Sequence, residues 1–264
     1  MVTLFMYLAV GAFAGTLAGL FGIGGGMIIV PAVLFALAAE GVGVDVMTHM
    51  AVATSLATIV FTSVSSIRAH LQKGAIDWHM VSLMTLGIVV GTSLGVVLIA
   101  EVPGPLLLKI IGVFAGLLGI QMFFGLQPRP GDLPPGRKEL AVAGAVIGFG
   151  SSWFGIGGGT FAVPYLSWRK IDMRRAVATS AACGFPIALT GTLTNIWSGW
   201  GNPELPAWSS GFVYWPAVAG IVLTSVPFAR LGAHLAHRLD QGKLKKAFAV
   251  LLICVSIKFL SLSF

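Results

Sequence analysis

The sequence predicts an all-α polytopic membrane protein with two inverted structural repeats, each a broken or re-entrant helical hairpin followed by three transmembrane helices. The first observation is composition: 56% of the residues are hydrophobic and 9% are charged, whereas soluble domains carry about 25% charged residues. The second is a series of uncharged apolar runs that approach or exceed the roughly 20 residues needed to cross a bilayer. The third is a pair of motifs that each occur twice, in the same order.

The first repeat is predicted to cover residues 1–126. Its opening apolar stretch is interrupted by a glycine-rich motif, and each glycine costs about 1 kcal/mol relative to alanine inside a helix. We therefore expect two short helices around a break, followed by three spans. The predicted elements, in order, are helices at about Leu4–Leu20 and Met27–Ala39, a loop from Glu40 to His49, a span at Ala51–Ile67, a polar loop from Arg68 to Asp77, and spans at His79–Ala100 and Leu106–Leu126.

The longest polar linker covers residues 127–138 and is rich in proline, glycine and charge. We expect it to be a cytoplasmic linker between the repeats. The second repeat, residues 139–264, follows the order of the first. Its predicted elements are a broken segment at Leu140–Trp168, a basic loop from Arg169 to Arg175, a helix from Ala176 to about Trp197, a loop from Ser198 to Ser210, a span at Gly211–Ala229, a basic loop from Arg230 to Lys246, and a span at Phe248–Phe264.

Two motifs indicate that the halves arose by duplication. Phe-Gly-Ile-Gly-Gly-Gly stands at residues 21–26 and again at 154–159, and Ala-Val-Ala-Thr-Ser stands at 51–55 and again at 176–180. Pro31 and Pro164 follow the two hexapeptides at the same spacing. Verbatim repetition of two motifs in one order is the signature of a half that was copied and fused.

The positions of the basic residues indicate how the halves are oriented. If each glycine-containing segment enters the membrane and returns to the same face, all of the 16 Lys and Arg residues except Lys109 and Lys258 fall on one side. A single crossing per glycine segment would divide the same residues between both faces. The positive-inside rule therefore favours the first arrangement, in which the halves are inverted. Two full crossings per segment give the same parity, but the short length of Met27–Ala39 favours a hairpin.

The glycine motifs are predicted to bind a small anion, because inverted repeats with discontinuous helices place substrate near the bilayer midplane. A helix begins after each glycine run, and its first N–H groups lack partners and carry about half a positive charge. Glycine lets a ligand approach this backbone closely. The alternative is that the glycines only permit close helix packing. The candidate residues are Gly24, Gly25, Gly26 and Met27 in the first copy and Gly157, Gly158, Gly159 and Thr160 in the second.

Polar side chains in the apolar helices extend this candidate site. Hydroxyl and amide groups can donate hydrogen bonds to an oxyanion. Hydroxyls in helices also bond to the carbonyl one turn back, and an interhelical hydrogen bond is the alternative for the amide. Both roles stay open for each candidate, and these are Thr54, Ser55, Thr179 and Ser180 from the repeated pentapeptide, together with Asn195.

The sequence places every Asp and Glu in a loop or at a helix end. Cation pumps and proton relays usually need a carboxylate deep in the membrane, so the sequence argues against both. A deep His, Asp or Glu constellation is also missing, which argues against an enzyme, and no metal or cofactor site is predicted. The net charge of +7 is assigned to the loops of a positive-inside protein and not to nucleic acid binding.

In the paired glycine and Ala-Val-Ala-Thr-Ser motifs, with Pro31 or Pro164 between them, the chain resembles the sulfite exporter TauE/SafE family over essentially its full length. The resemblance implies a multi-pass inner-membrane permease for small sulfur-containing anions such as sulfite, sulfoacetate or related organosulfonates. The two glycine loops carry over from the family, whereas the hydroxyl assignments come from the residues themselves.

We therefore expect a transporter that works by alternating access. Export is the expected direction, because a membrane potential that is negative inside drives an anion outwards without a coupling residue. The alternatives are a passive anion channel and an uptake permease for thiosulfate-like or sulfate-like anions. The expected partners are the anionic substrate and the lipid bilayer. The sequence leaves open which oxyanion is carried, the coupling ion, and whether the chain forms a homo-oligomer.

Overall fold

The structure is a computed structural model, and it describes residues 2–21, 26–72, 74–125, 135–236 and 241–261. Within these residues nearly all of the chain is helical, with one short β-hairpin. The elements are α1 (Val2–Phe21), α2 (Gly26–Ala39), α3 (Val44–Leu71), α4 (Trp78–Ala100), α5 (Gly104–Phe124), α6 (Arg137–Phe154), α7 (Gly159–Trp168), α8 (Met173–Ser198), β1 (Ser209–Ser210), β2 (Val213–Tyr214), α9 (Trp215–Ala236) and α10 (Gln241–Ser261).

Among the described helices, α3, α4, α5 and α8 are long and apolar enough to cross a membrane. Shorter apolar stretches lie in α1, α2 and α9. Large apolar side chains also cover the outside of the bundle, and Phe5 and Leu86 are each 76% exposed. Soluble proteins rarely expose apolar surface on this scale, so the chain is an all-α polytopic membrane protein.

The helices α1 and α2, like α6 and α7, form a hairpin whose outer ends meet. In the first hairpin the Tyr7 hydroxyl donates to Oε1 of Glu40, just after α2, at 2.7 Å. In the second, the carboxylate of Glu139 near the start of α6 accepts from the Tyr165 hydroxyl at 3.0 Å and from Arg169 at 2.7 Å. A Tyr–Glu hydrogen bond therefore closes each hairpin, with the two partners exchanged between its helices.

The first helix of the first hairpin packs along a helix of the other half. α1 and α9 run parallel, since Gly11 faces Ile221 and Gly15 faces Ser225 further along both helices. The Thr224 hydroxyl also donates to the carbonyl of a residue in α1 at 2.8 Å. Small residues at four-residue spacing let two backbones approach closely in a membrane, which explains the tight seam.

The second hairpin makes the corresponding contact with the first half. α6 runs parallel to α4, because Gly144 faces Met84 and Gly148 faces Ile88. Glycines on α4 complete the seam from the other side, where a Cβ on Gly91 would collide with the backbone of α6. The two halves are therefore joined by two seams, α1 with α9 and α6 with α4, and each seam contains one helix from each half.

The centre of the fold is the pair α3 and α8, each of which carries one copy of the repeated pentapeptide. Every residue from Val46 to Ile59 is buried, because α3 is surrounded by other helices on all sides at this level. α4 packs on α8, and α9 packs on α3. α2 and α7 each cover the central helix of their own half. α5 packs against α10. Exchanging the two halves maps these helix pairs onto one another.

Several of the predicted loops are partly helical, and the loop predicted from Arg68 to Asp77 is wrong up to Leu71, where α3 ends. The loop predicted from Glu40 to His49 is wrong from Val44 onwards, because α3 begins there with Asp45 in its first turn, where a negative charge suits the helix dipole. The predicted basic loop from Arg169 to Arg175 is also wrong at its end, because α8 begins at Met173. The Asp172 side chain accepts from the Arg174 N–H and starts α8 as its N-cap.

Residues 209–214 are predicted as the end of a loop and the start of a span, but they form the β1–β2 hairpin, with Ser209 opposite Tyr214. The basic loop predicted from Arg230 to Lys246 is also wrong, since α9 continues to Ala236 and α10 begins at Gln241. Basic side chains can reach water from a helix end without ending the helix. The predicted linker falls largely on residues 126–134, which lie outside the described residues.

Candidate functional site between the glycine segments

The two glycine segments meet inside the protein. A Cβ atom added to Gly26 would lie 2.7 Å from the Gly155 carbonyl oxygen and 2.9 Å from the Ile156 Cα. This distance leaves no room for a side chain, so the first segment needs glycine where it crosses the second. Gly24 and Gly25, the other glycine candidates of the first copy, lie outside the described residues. The Met27 side chain, at the start of α2, is half-buried.

The second segment begins with a left-handed turn at Gly155, which has a φ of +59° and ends α6. A Cβ here would lie 2.7 Å from Cγ2 of Val30 and 3.1 Å from the Val52 Cα. The Ser55 hydroxyl donates to the Gly155 carbonyl at 2.7 Å. Residues of α2 and α3 in the first half therefore hold the second glycine turn in place.

The helix α7 begins directly after this turn, and Gly158 is its N-cap. The Gly158 carbonyl accepts the first bond of the helix, from the Ala162 N–H at 2.8 Å. The N–H groups of Gly159 and Thr160 lie in the first turn, where a helix supplies no acceptor, and no acceptor for them is found among the described residues. Gly157 and Gly158 are both buried. The segment thus presents uncompensated amide protons inside the protein.

Three hydroxyl groups around the second segment have no hydrogen-bond partner within the described part of the chain. They are the buried oxygens of Ser151, Thr160 and Ser180. Ser151 and Ser180 are both 0% exposed, and the Ser180 carbonyl lies 2.9 Å from where a Cβ of Gly158 would stand. Because a buried unpaired hydroxyl costs roughly 1–3 kcal/mol, a ligand that accepted hydrogen bonds from these groups would recover that cost. Other buried hydroxyls, such as those of Thr48 and Thr92, are also unpaired among the described residues.

Apolar side chains enclose the same segment. Phe114 of α5 stacks on Phe154 with ring centroids 3.6 Å apart, and Phe161 lies 5.5 Å from the Phe114 ring. The Ile59 side chain of α3 contacts the segment from the other half and is 3% exposed. These groups exclude water, which strengthens any electrostatic interaction with the amides.

The two threonines of the repeated pentapeptide are used differently from the serines. The Thr54 hydroxyl accepts from the backbone N–H of Tyr214 at 3.1 Å, and the Thr179 hydroxyl accepts from that of Asp77 at 3.1 Å. Each of these bonds joins α3 or α8 to the residue just before a helix of the opposite half. The structure therefore brings Gly26, the second glycine segment, Ser55 and Ser180 together. The two threonines instead make hydrogen bonds that join the central helices to the opposite half.

Asn195 is not part of this cluster. Its side-chain amide donates to the Gly191 carbonyl one turn back in α8 at 2.8 Å. It follows Ser180 by fifteen residues of continuous helix, or about 22 Å. The predicted contact of Asn195 with substrate stays a prediction, and the site proposed below does not include this residue.

The sequence analysis did not identify some residues that hold the helices in place. The His49 ring is buried in α3 and lies 3.0 Å from the Asp45 and Ile99 carbonyl oxygens, but the sequence places this residue in a loop. Tyr214 is a second tyrosine beside Glu40. Its burial and the Glu40 carboxylate raise the pKa of Tyr214, so its phenol stays protonated. The exchanged Tyr–Glu pairs leave no signal in the sequence, because their members do not correspond in the repeats.

In the part of the chain that the structure describes, this site offers N–H and O–H groups together with the carbonyl oxygens of Gly155 and Ser180, in an apolar enclosure. Among the described residues no three His, Cys, Asp or Glu side chains lie close enough to hold a metal ion. The carboxylates of Glu40 and Glu139 lie at the outer ends of the hairpins. Donors without a compensating charge suit an anion, because its oxygens accept hydrogen bonds and its charge is favoured at a helix N-terminus.

Comparison with known proteins gives matches over almost the whole chain. A family profile described as Sulfite exporter TauE/SafE matches residues 7–259. A probable membrane transporter protein of Haemophilus influenzae is 38% identical over 253 residues, which is 95% of this chain and 95% of that protein. Proteins with the same description in Methanocaldococcus jannaschii and Bacillus subtilis are 26% and 24% identical over 242 and 270 residues, covering 91% and 95% of this chain and 89% and 94% of theirs. No solved structure matches the chain.

The region matched by the profile contains both glycine segments and both pentapeptides. It also contains every described helix that is long and apolar enough to cross a membrane. The chain is therefore a membrane transporter that belongs to the sulfite exporter TauE/SafE family.

Proposed function

We propose that the protein exports a small sulfur-containing oxyanion, such as sulfite or a related organosulfonate, across the inner membrane by alternating access. The anion binds between the two halves, at the helix N-termini that follow the glycine segments. The observation that carries this proposal is the contact of Gly26 with Gly155 and Ile156, in a segment whose Gly158 packs against Ser180, a residue with an unpaired hydroxyl.

The course of the chain supports two inverted halves. α3 begins shortly after Glu40, at the outer end of the first hairpin, and its 28 residues extend about 42 Å. It ends shortly before Asp77, which forms an ion pair with Arg175 at 2.9 Å. Arg175 follows Arg169, at the outer end of the second hairpin, after a short loop. The two hairpins thus open toward opposite ends of α3.

The lengths of the second hairpin helices support re-entrant segments. α2 has 14 residues and α7 has 10, which extend about 21 Å and 15 Å. Both are shorter than the roughly 30 Å of a bilayer core. Hairpins that enter from opposite faces and meet at their tips would place Gly26 and Gly155 near the midplane, where transporters with inverted repeats bind substrate.

The distribution of charge supports the orientation in the membrane. Arg137, Lys170 and Arg175 lie near the outer end of the second hairpin, and all three are exposed. The end of α3 with Arg68 lies on this side as well. By the positive-inside rule this is the cytoplasmic side, which makes the inner membrane the proposed location and the first hairpin the one that opens outwards.

The proposed energetics need no coupled cation. Moving one negative charge out of the cell gains about 2.3 kcal/mol per 100 mV of membrane potential. The site has donors but no carboxylate among its described residues, so a proton relay of the usual kind has no residue to use there. Flux in proteoliposomes that required a proton gradient but ignored the membrane potential would contradict export driven in this way.

Thermal unfolding of the purified protein over a panel of oxyanions tests the proposal. Sulfite, thiosulfate, sulfate, phosphate and methanesulfonate are added as sodium salts, with sodium chloride as the control. A ligand at 100 times its dissociation constant stabilises the folded protein by about 2.7 kcal/mol. We expect sulfite or another sulfur oxyanion to raise the unfolding temperature, and no effect from any of them would reject the site.

Transport assays then separate a carrier from a channel. A carrier shows saturable uptake and counterflow of labelled anion in proteoliposomes, whereas flux without saturation or counterflow would indicate a passive channel. Ser180→Ala removes one proposed donor, and we expect it to weaken the stabilisation by the anion. Ser82→Ala is the matched control, because Ser82 is exposed on α4, away from the glycine segments, and its hydroxyl donates to the His79 carbonyl.

A further inference from the structure

The central helices of the two halves differ at one position of the proposed site. Ile59 of α3 and Gly184 of α8 each lie four residues after the serine of the repeated pentapeptide. Because the flanking motifs are identical, the two positions correspond in the repeats. One therefore carries a branched side chain and the other carries none.

The Ile59 side chain fills the space between the two glycine segments. Its Cδ1 atom lies 3.1 Å from where a Cβ of Gly26 would stand, and its Cγ2 atom lies 3.5 Å from the corresponding point at Gly157. The residue is 3% exposed. Ile59 thus contacts both segments, at Gly26 of the first and Gly157 of the second.

No side chain fills the corresponding position at Gly184. Among the described residues, a Cβ on Gly184 would meet only the Gly158 backbone nitrogen, at an ordinary contact distance of 3.7 Å. The missing side chain therefore leaves the Gly158 amide facing the bare backbone of α8. The carbonyl of Ser180, whose hydroxyl is unpaired, approaches the same glycine. The surface of α8 that packs on the second segment is therefore backbone and polar at Ser180 and Gly184, with the Ile187 side chain beside it, whereas α3 presents the branched side chain of Ile59.

We propose that Ile59 sets the upper size limit of the substrate and that the anion lies against Gly158, Gly184 and Ser180 and not midway between the halves. This inference rests on the proposed function. On this proposal, Ile59 favours small sulfur oxyanions with little or no organic substituent, because a chain attached to sulfur would collide with the Ile59 side chain. Sulfite fits this description better than a sulfonate that carries a longer chain.

The test compares sulfite with methanesulfonate, ethanesulfonate and propanesulfonate, using thermal stabilisation and counterflow of the full-length protein. Ile59→Ala removes three side-chain carbon atoms, a volume similar to the chain of propanesulfonate. Removing a single methylene clash changes discrimination by about tenfold or more. We expect Ile59→Ala to lower the preference for sulfite over propanesulfonate by at least about tenfold, and Ile59→Val to have a smaller effect.

Ile88→Ala is the matched control for the loss of a buried isoleucine. Ile88 is 0% exposed but lies in the seam of α4 with α6, so its truncation should leave the preference unchanged while it lowers stability. Sulfite binding that survives in Ile59→Ala, with a preference within about twofold of the wild-type value, would overturn the inference. If the wild-type protein binds no oxyanion at all, the proposed function itself has failed.

Gly184→Ala tests the position of the anion from the other side. The new methyl group fits without a clash, and alanine is the better helix former, so the ligand-free protein should unfold at the same or a higher temperature. The methyl group covers the Gly158 amide, and we expect sulfite affinity to fall by about tenfold or more. Wild-type affinity in this variant would place the anion elsewhere and would also overturn the inference.

Discussion

The hydroxyl oxygen of Thr179 accepts a hydrogen bond from the backbone N–H of Asp77 across 3.1 Å. Thr54 and Tyr214 make the same contact with the halves exchanged. Asp77 and Tyr214 each stand immediately before a helix that begins with tryptophan, α4 and α9. The threonine of each pentapeptide thus satisfies an N–H group at the start of a helix from the other part of the chain.

Thr179→Val should destabilise the protein, because valine keeps the shape of threonine but leaves the Asp77 N–H without its acceptor. The bond is partly buried, so we expect a loss of about 1 kcal/mol. Thermal or denaturant unfolding of the purified protein measures the loss, and Thr179→Ser, which keeps a hydroxyl, is the control. Equal stability of the valine and serine variants would show that the bond contributes nothing.

Gly155→Ala should be among the most damaging single methyl additions. Alanine at a positive φ costs about 1–2 kcal/mol, and the new methyl group would also lie too close to Val30 and Val52. Gly125→Ala is the matched control, since Gly125 has a φ of +64° but no atom of the described residues lies within 4 Å of its added Cβ. We expect the Gly125 variant to lose only the backbone share. Similar unfolding temperatures for both would contradict the tight contact at Gly155.

Glu139→Gln should weaken the closure of the second hairpin, because Glu139 accepts from both Tyr165 and Arg169. The ion pair is partly exposed, with side-chain exposures of 17% for Arg169 and 39% for Glu139, so the expected loss is about 1 kcal/mol or less. Salt screens such a pair, and the difference from wild type should shrink as salt rises.

Tyr7→Phe is the comparison for the first hairpin. The Tyr7 hydroxyl is a neutral donor within a residue that is 1% exposed, so the effect of its removal should not depend on salt. A salt-dependent loss in Tyr7→Phe, or a salt-independent one in Glu139→Gln, would contradict this distinction.

Cysteine labelling tests the inverted arrangement. Single cysteines replace Arg137 and Lys170 on one side and Glu101 and Glu204 on the other, all of which are exposed. The background carries Cys254→Ser, because Cys254 is the exposed native cysteine and Cys183 is buried. We expect an impermeant thiol reagent added to intact cells to label only the positions that replace Glu101 and Glu204. Labelling of Arg137→Cys and Lys170→Cys from opposite sides would show that the second glycine segment crosses the membrane once, and would reject inverted halves.

The sequence was sufficient to predict the membrane fold, since long apolar runs and the repeated motifs are local features of the chain. It also predicted that helices would begin at Met27 and Thr160, because glycine runs end helices, and the observed starts at Gly26 and Gly159 lie one residue earlier. Boundaries near water were predicted less well. α3, α9 and α10 extend past their apolar cores into charged residues, whose side chains reach water from a continuing helix.

The site was predictable in part for a related reason. Ser180 beside Gly158 follows from two motifs that are visible in the sequence. The choice between ligand and tether for Thr54 and Thr179 depends on which chain segment packs against them, and those segments lie more than 100 residues away. The importance of Ile59 could have been suspected from the sequence only by comparing the residues that follow the two identical pentapeptides.

The seam between α1 and α9 has a consequence for biosynthesis. Thr224 and the residue that it contacts in α1 are 216 positions apart. During synthesis α1 can therefore pack against α9 only after most of the described chain has been made. A fragment that stopped after the first half would leave α1 and α4 bare along their glycine edges. Two copies of such a fragment could cover each other, and fusion into one chain guarantees that every molecule is made with its complement already attached.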